Sequence, residues 1–263
     1  MYTHNLDPIF IDLEIFAIRW YSLAYIIGIL TGWWLGNKIV NILIKKNYIS
    51  FEAKEFDDLI SYLIISIILG GRLGYIIFYN LNYYILNPFD IFKIWQGGMS
   101  FHGALIGIIL GTYIFAIKKN IKILILLDII ACVSPIGLFF GRIANFINSE
   151  LYGNPSNIYW SVIFPKIDNI SRHPSQIYEA FLEGLLLFII LNFIIFKKKY
   201  QRGICSSLFL ILYGIFRIFS EQFRAPDQQI GYLFNSISMG SLLSVLMIAG
   251  GILIFTNIRK NEI

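Results

Sequence analysis

Seven long apolar runs constrain the fold of this chain more than any other feature. A transmembrane helix needs roughly 20 consecutive, mainly apolar residues, and each run approaches that length. The chain is 57% hydrophobic and 14% charged, whereas soluble globular domains carry roughly a quarter charged residues. The sequence therefore predicts an all-α polytopic membrane protein. We place the seven runs at Trp20–Ile39, Leu59–Phe78, Phe101–Ile117, Ile123–Phe140, Ile177–Phe196, Ile204–Phe223 and Ile237–Thr256.

The basic residues in the connections predict the orientation of the spans. Most of them fall in connections that seven consecutive spans would place on one side of the membrane, which by the positive-inside rule is the cytoplasmic side. The N-terminus is then outside and the C-terminus inside. The net charge of +5 is a topology signal, so no nucleic-acid partner is predicted. The basic residues on the predicted inner side are Lys38, Lys45, Lys46, Lys54, Lys118, Lys119, Lys122, Lys197, Lys198, Lys199, Arg202, Arg259 and Lys260.

Two outer segments are predicted to form a small extracytoplasmic cap, from about residues 1–19 and 145–176. No basic start with an apolar core precedes Trp20, so no signal peptide is expected. The second segment holds a predicted turn at Gly153–Asn157 and a strand-like patch at Tyr159–Phe164. We find no repeat or linker, and predict one membrane domain over residues 1–263.

The stretch Gly141–Gly153, called here the signature stretch, places polar groups where an apolar run ends. Arg142, Asn145 and Glu150 share one broad face if the helix continues that far. A charge inside a membrane segment is costly and normally faces a polar cavity, so it indicates a functional site. The alternative is an Arg–Glu ion pair that only ties two helices together.

The sixth run carries a polar stripe that is too charged to face lipid. Tyr213, Arg217, Glu221 and Arg224 follow one another at helical spacing. With Arg142 and Arg72, the stripe supplies up to four guanidiniums near one level of the membrane. Arginine binds phosphate through two parallel hydrogen bonds, so the pattern favours a phospholipid headgroup as ligand. A purely structural web of ion pairs is the alternative.

Glycine-rich segments precede or end two other runs. Gly97–Gly103 leads into the third run and carries His102, which could act as a general base because its ordinary pKa lies near neutrality. The alternative is a histidine that merely bonds between helices. Gly70–Tyr75 ends the second run, where the glycines permit close helix approach and Arg72 either snorkels or faces a cavity.

The remaining polar and sulfur-containing residues carry weaker signals. Glu179 and Glu183 could pair with arginines of other runs. For the loop Arg172–Gln176, packing is as reasonable a role as substrate contact. Cys132 and Cys205 have no Cys or His at metal-ligand spacing, so both are expected to be buried apolar residues.

Taken together, these blocks resemble the bacterial prolipoprotein diacylglyceryl transferase family over nearly the whole chain. The signature stretch is the most specific part of the resemblance. The chain departs from the family pattern at Ala144 and Ser149, where glycine is usual, but both substitutes are small. The blocks, in the order of the family, are Trp20–Tyr21, Gly70–Tyr75, Gly97–Gly103, Gly141–Gly153, Arg172–Gln176, Tyr213–Arg224 and Pro226–Asp227.

The resemblance implies transfer of the diacylglyceryl group of phosphatidylglycerol to the lipobox cysteine thiol of a preprolipoprotein signal peptide. The products would be a thioether-linked lipid and glycerol phosphate. It further implies a multi-pass protein of the bacterial cytoplasmic (inner) membrane, with its active site on the extracytoplasmic side. The partners would be the two substrates and membrane lipids. Neither a cofactor nor a metal is expected.

On this resemblance we assign roles to ten residues as hypotheses. Arg142 and Arg217 clamp the phosphate, with Arg224 assisting. His102 is the first choice as the base that takes the thiol proton. The remaining residues position or orient: Tyr21, Asn145 and Tyr213 hold the glycerol headgroup, Glu150 and Glu221 orient arginines or replace His102 as base, and Gly153 permits the turn that leaves the signature stretch.

Two other functional classes use the same features. A transporter or flippase for an anionic lipid or organic phosphate would also need an arginine-lined cavity, but no inverted repeat is visible and the polar groups gather near one face. A non-catalytic membrane scaffold would not need so many charges inside the membrane. Formation of the lipid-linked product separates the transferase from both.

Overall fold

The computed structural model describes residues 2–13, 17–49, 51–197, 200–226 and 238–260. Within these residues, seven helices are long and apolar enough to cross a membrane, which confirms the predicted fold class. A π-helical turn, Ala180–Leu186, joins α6 to α7, so these two form one span, Ser175–Ile195, called here the α6–α7 helix. The helices are α1 Trp20–Lys45, α2 Ala53–Tyr79, α3 Leu81–Leu86, α4 Phe101–Lys119, α5 Ile123–Ile147, α6 Ser175–Glu179, α7 Leu187–Ile195, α8 Ile204–Glu221 and α9 Met239–Lys260.

Several helices extend beyond the apolar runs that predicted them. Helix α1 continues past Ile39 to Lys45, and α5 continues past Phe140 to Ile147. Lysine in a last turn is favourable because it faces the negative end of the helix dipole. The extension of α5 matters most, since it brings the polar residues of the signature stretch onto the helix.

One compact unit comprises Asn37–Ile129, and glycines set its helix packing. A Cβ atom on Gly70 or Gly74 of α2 would collide with the backbone of Gly103 in α4. The close approach predicted for these glycines is therefore observed. The connection from α2 to α4 consists of α3 and two short 3₁₀ turns, Pro88–Phe92 and Ile94–Gln96.

The other unit comprises Met1–Gly36 and Ile130–Ile263, and it contains two small sheets. Strand β1 (Tyr2–Thr3) pairs in parallel with β4 (Val162–Ile163), which pairs antiparallel with β5 (Ser171–Arg172). Strand β2 (Ile9–Asp12) pairs antiparallel with β3 (Ala17–Arg19). Both outer segments that the sequence assigned to a cap thus supply paired strands.

The predicted turn at Gly153–Asn157 is wrong, because this segment runs extended between two neighbours. The amide of Gly153 donates to the oxygen of His173 at 3.1 Å, and that of Asn154 donates to Phe223 at 2.8 Å. Backbone pairing on both sides outweighs the turn preference of glycine, proline and asparagine. The reversal lies instead at Tyr159–Trp160, and the strand-like patch reduces to β4.

Candidate active site

The last two turns of α5 carry the first polar residues of the site. Arg142 and Asn145 lie on the helix, which ends at Ile147. Glu150 lies beyond it, so the predicted shared helical face does not include Glu150. The chain reverses through Ser149 and Leu151, which adopt left-handed φ values of 60° and 54°. We call residues 148–151 the signature turn.

The signature turn brings three of the predicted site residues together: Tyr21, Asn145 and Glu150. The Nδ2 of Asn145 donates to the hydroxyl of Tyr21 at 2.9 Å and to Oε2 of Glu150 at 3.3 Å. Asn145 is buried, with 4% of its surface exposed. The start of α6 fixes the backbone of the turn, because Gln176 Nε2 donates to the oxygen of Glu150 at 2.6 Å.

A second group of side chains forms what we call the arginine cluster. Glu179 forms an ion pair with every arginine in it: its Oε2 lies 2.9 Å from Arg142 Nε, and its Oε1 lies 3.1 Å from Arg217 Nη1 and 3.4 Å from Arg224 Nη1. Glu183 lies 3.1 Å from Arg142 Nη2 and 3.5 Å from Arg217 Nη1. The members are Arg142, Arg217, Arg224, Glu179, Glu183 and Glu221.

Formal charges within the arginine cluster balance, since it holds as many arginines as glutamates. The side chains of Glu179 and Glu183 are completely buried, whereas those of Arg142 and Arg217 keep 12% and 9% of their surface exposed. The carboxylates thus lie behind the guanidiniums. Burying ions is tolerable because each is paired. No ion pair to Nη1 of Arg142 occurs among the described residues.

These pairs show that Arg142 has the structural role considered as an alternative, which does not exclude a functional one. The α6–α7 helix supplies both of its carboxylate partners, so the ion pairs do tie α5 to that helix. Pairing of Glu179 and Glu183 with arginines of other runs, expected from the sequence, is observed. An ordered guanidinium held by buried carboxylates is consistent with both structural and functional roles.

Helix α8 supplies three members of the predicted polar stripe. Tyr213 and Arg217 are buried, with 1% and 7% of their surface exposed, and Arg217 Nη2 forms an ion pair with Glu221 one turn later. Helix α8 ends at Glu221, so Arg224 is not on the helix. Arg224 instead reaches Glu179 from the turn that follows, where its backbone forms an isolated bridge with Gly153.

Gly153 is needed for close packing and not for a turn. Its φ is not in the left-handed region, unlike those of Gly97, Gly98 and Gly203. A Cβ atom at this position would collide with the backbone oxygens of His173 and Phe223. The predicted role in turning the chain is therefore wrong. Gly153 acts by letting three backbone segments approach beside Arg224.

His102 belongs to the other compact unit, as the second residue of α4. Its ring contacts that of Phe101 edge-on, with centroids 5.3 Å apart. Ser100 caps the start of the helix, since its Oγ accepts from the amide of Gly103 at 3.2 Å. The assignment of His102 as the base stays a prediction.

Comparison with known proteins places the chain in a family. The family described as prolipoprotein diacylglyceryl transferase matches residues 8–257. The chain belongs to this family. It is similar to a phosphatidylglycerol–prolipoprotein diacylglyceryl transferase of Rickettsia canadensis (strain McKiel), 50% identical over 249 residues, 94% of this chain and 95% of the relative. It is similar also to the enzyme of that name from Ehrlichia ruminantium (strain Welgevonden), 50% identical over 262 residues, 98% and 99% of the two chains.

Within this prolipoprotein diacylglyceryl transferase fold, some site features had little or no sequence signal. Glu179 and Glu183 were expected to pair with arginines, but spacing did not reveal that Glu179 serves three of them. The π-helical turn that follows Glu179 has no sequence signature, although such turns are frequent at functional sites. His4, which contacts the signature turn, lies in a short polar segment without periodicity.

Proposed function

We propose that this protein transfers the diacylglyceryl group of phosphatidylglycerol to the lipobox cysteine of prolipoproteins. It is an enzyme, and the products are a thioether-linked lipid and glycerol phosphate. The observation that carries the proposal is the arginine cluster, in which three guanidiniums converge on buried carboxylates at the ends of apolar helices. Membership of the prolipoprotein diacylglyceryl transferase family supports the choice of substrates.

The chemistry requires a nucleophile and a stabilised leaving group. The acceptor thiol loses its proton, and the thiolate attacks the glyceryl carbon that carries the phosphate. A carbon–sulfur bond forms as the carbon–oxygen bond breaks, and the electron pair leaves with glycerol phosphate. Donors placed where negative charge develops lower this barrier. The acceptor cysteine belongs to the substrate, so Cys132 and Cys205, both buried, take no part.

The arginine cluster is suited to stabilise the departing phosphate. Arg142 and Arg217 clamp it, and Arg224 assists. Glu179 and Glu183 form ion pairs with these guanidiniums, so the charges are already in place when negative charge develops on the phosphate. Glu221 orients Arg217.

Side chains outside the arginine cluster position the lipid headgroup. Tyr21 and Asn145, already hydrogen bonded to each other, offer polar atoms to the glycerol hydroxyls, and Tyr213 contributes from α8. His102 takes the thiol proton, with Glu150 and Glu221 as the alternative bases. An enzyme with His102→Gln that turns over normally would transfer this role to one of the glutamates.

The proposal includes a location and an orientation. The protein is a single transferase domain over residues 1–263 in the bacterial inner membrane, with the N-terminus outside and the C-terminus in the cytoplasm. The asymmetric distribution of lysine and arginine between the connections supports this orientation. The active site then faces the extracytoplasmic side, where both membrane-embedded substrates are accessible from the bilayer.

The test is release of glycerol phosphate by purified full-length protein in detergent, given phosphatidylglycerol and a peptide with a lipobox cysteine. Release that requires both substrates, and that disappears in Arg142→Ala, is expected. Arg202→Ala is the matched control, because Arg202 is exposed in the turn before α8. A folded protein that binds phosphatidylglycerol but releases nothing would contradict the proposal and favour lipid transport, measured then as flux across vesicles.

A further inference from the structure

His4 is a buried histidine that lies against the signature turn. Only 2% of its surface is exposed, and its Nδ1 lies 3.2 Å from Oγ of Ser149, which is equally buried. Its ring packs between Phe146 and Phe164, with centroids 5.1 Å and 5.2 Å away. Its amide donates to the oxygen of Ile163 at 2.8 Å, so the strand pairing of β1 with β4 fixes its position.

The residue that His4 contacts holds a costly backbone conformation. Ser149 has a φ of 60° and Leu151 a φ of 54°, in the left-handed region that L-residues other than glycine, asparagine and aspartate rarely adopt. Such strain persists only where the surroundings impose it. The surroundings here are His4 on Ser149, and Ser175, whose Oγ donates to the oxygen of Leu151 at 3.0 Å.

Between the two strained residues lies Glu150, whose carboxylate accepts from Asn145. If Ser149 leaves the left-handed region, the peptide on either side of it rotates, and the Glu150 side chain no longer points at Asn145. The N-terminal segment can therefore influence the position of Glu150 through the hydrogen bond between His4 and Ser149.

We propose that His4 is a positioning residue, which through Ser149 holds the signature turn so that Glu150 stays beside Asn145 and Tyr21. This inference rests on the proposed transferase function, because it assigns a purpose to the position of Glu150. His4 itself does not touch the substrate. Its imidazole acts as a hydrogen-bonding partner at Nδ1 and not simply as an apolar plug between two phenylalanines.

The neutral imidazole is the form that suits this pocket. Burial, with the positive charge of Lys166 as a lesser cause, holds the pKa of His4 below its usual value. The groups that face the ring are Ser149, Phe146, Phe164 and Lys166, together with Tyr2 in strand β1, which directly precedes His4. Protonation adds a buried charge beside Lys166, so acid should loosen the turn.

Three substitutions separate positioning from packing. Asparagine places its amide near the position of Nδ1, glutamine places it near Nε2, and leucine fills volume without a polar atom. With phosphatidylglycerol and a lipobox peptide, we expect His4→Leu and His4→Gln to lower kcat/KM about tenfold, a size consistent with misplacement of one group. His4→Asn should stay close to wild type. Thr3→Ala is the control, because Thr3 precedes His4 at the end of β1 and is exposed.

Two further measurements test whether His4 positions Glu150 through Ser149. The loss in a His4→Leu, Ser149→Ala double variant should be no larger than in either single variant, because both remove one interaction. The fall of wild-type kcat/KM at acidic pH should shrink in His4→Asn, which has no group to protonate. Thermal unfolding in detergent gives the folded fraction of each variant, and activity is expressed per folded molecule.

Each outcome decides between the possibilities. Rescue by asparagine alone, with a non-additive double variant, supports the positioning role. Equal activity of the asparagine and leucine variants, or additive losses, overturns it. A wild-type protein that releases no glycerol phosphate would refute the proposed function instead, and coupling between His4 and Ser149 in thermal unfolding would then still test whether His4 holds the turn.

Discussion

Two arginines in this protein, Arg72 and Arg142, look alike in sequence but differ in their partners. Each lies near the end of an apolar helix. Arg142 pairs with carboxylates of another helix, whereas the partners of Arg72 among the described residues are backbone oxygens of the connection that follows its own helix. The acceptors of Arg72 are Ile91 at 2.9 Å, Gly97 at 2.5 Å, Gly98 at 3.3 Å, Asp90 at 2.6 Å and Lys93 at 3.2 Å.

An arginine inside a membrane segment therefore does not by itself indicate a ligand site. The donors of Arg72 are used by carbonyl groups, and its guanidinium also lies 5.1 Å from the ring centroid of Tyr84. It folds the segment between α2 and α4. Arg142 is paired with two carboxylates and keeps 12% of its side chain exposed, so its surroundings differ from those of Arg72. Sequence spacing had grouped the two as one set of guanidiniums.

The largest expected effect is at Glu179, which serves all three arginines of the cluster. Glu179→Gln leaves their charges without their shared partner. Removing one member of a buried ion pair costs about 3 kcal/mol or more, so denaturant unfolding in detergent should show a loss of that size together with loss of turnover. Glu221→Gln is the control, because Glu221 contacts only Arg217 among the cluster arginines and stays partly exposed; it should lose less stability.

The next effect separates the two arginines directly. Arg142→Lys keeps the charge but loses the planar fork that orients donors, so we expect kcat to fall about 100-fold while the protein stays folded. Glycerol phosphate release and unfolding are measured on the same preparation. Normal turnover in this variant would mean that Arg142 only ties α5 to the α6–α7 helix.

Arg72→Lys should show the opposite pattern. One ammonium group cannot reach the carbonyl groups now met by the guanidinium, and each unsatisfied buried acceptor costs roughly 1–3 kcal/mol. Stability should fall, while turnover per folded molecule changes little. A loss of turnover without a loss of stability would indicate that Arg72 binds phosphate, as proposed for Arg142.

The smallest effect concerns pH and the N-terminal strand. The pKa of His4 is lowered, chiefly by burial, from an ordinary value of 6.5, so its neutral form stabilises the fold. That contribution is complete above this value and is lost as the pH falls through the lower folded-state pKa. Wild type should lose more stability than His4→Asn when the pH is taken from neutrality to about 5. Parallel unfolding curves for both proteins would contradict this.

The seven spans were predictable because the length and composition of an apolar run determine whether a helix can cross a membrane. The stripe of Tyr213, Arg217 and Glu221 was equally predictable, because residues four apart share a helical face. The close packing of α2 on α4 followed from glycine spacing. Each of these properties depends on residues close together in the chain.

Which side chains contact the site residues depends on tertiary structure. Arg142 and Glu183 are 41 positions apart, and no local pattern selects that pairing over an Arg142–Glu150 pair. Whether Arg72 meets carboxylates or carbonyls likewise depends on how the following connection folds back. The extended path of Gly153–Asn157 arose because two distant segments supplied partners for its backbone.

Apolar runs, helical spacing and short motifs were thus enough to predict the class of fold, the family and most of the polar residues of the site. Tertiary structure decided which of these residues meet, that Glu179 is shared by three arginines, and that His4 lies against Ser149. The physical reason is how far apart in the chain the interacting residues lie. Helix formation and membrane insertion depend on local composition, whereas ion pairs and strained turns depend on side chains that only folding brings together.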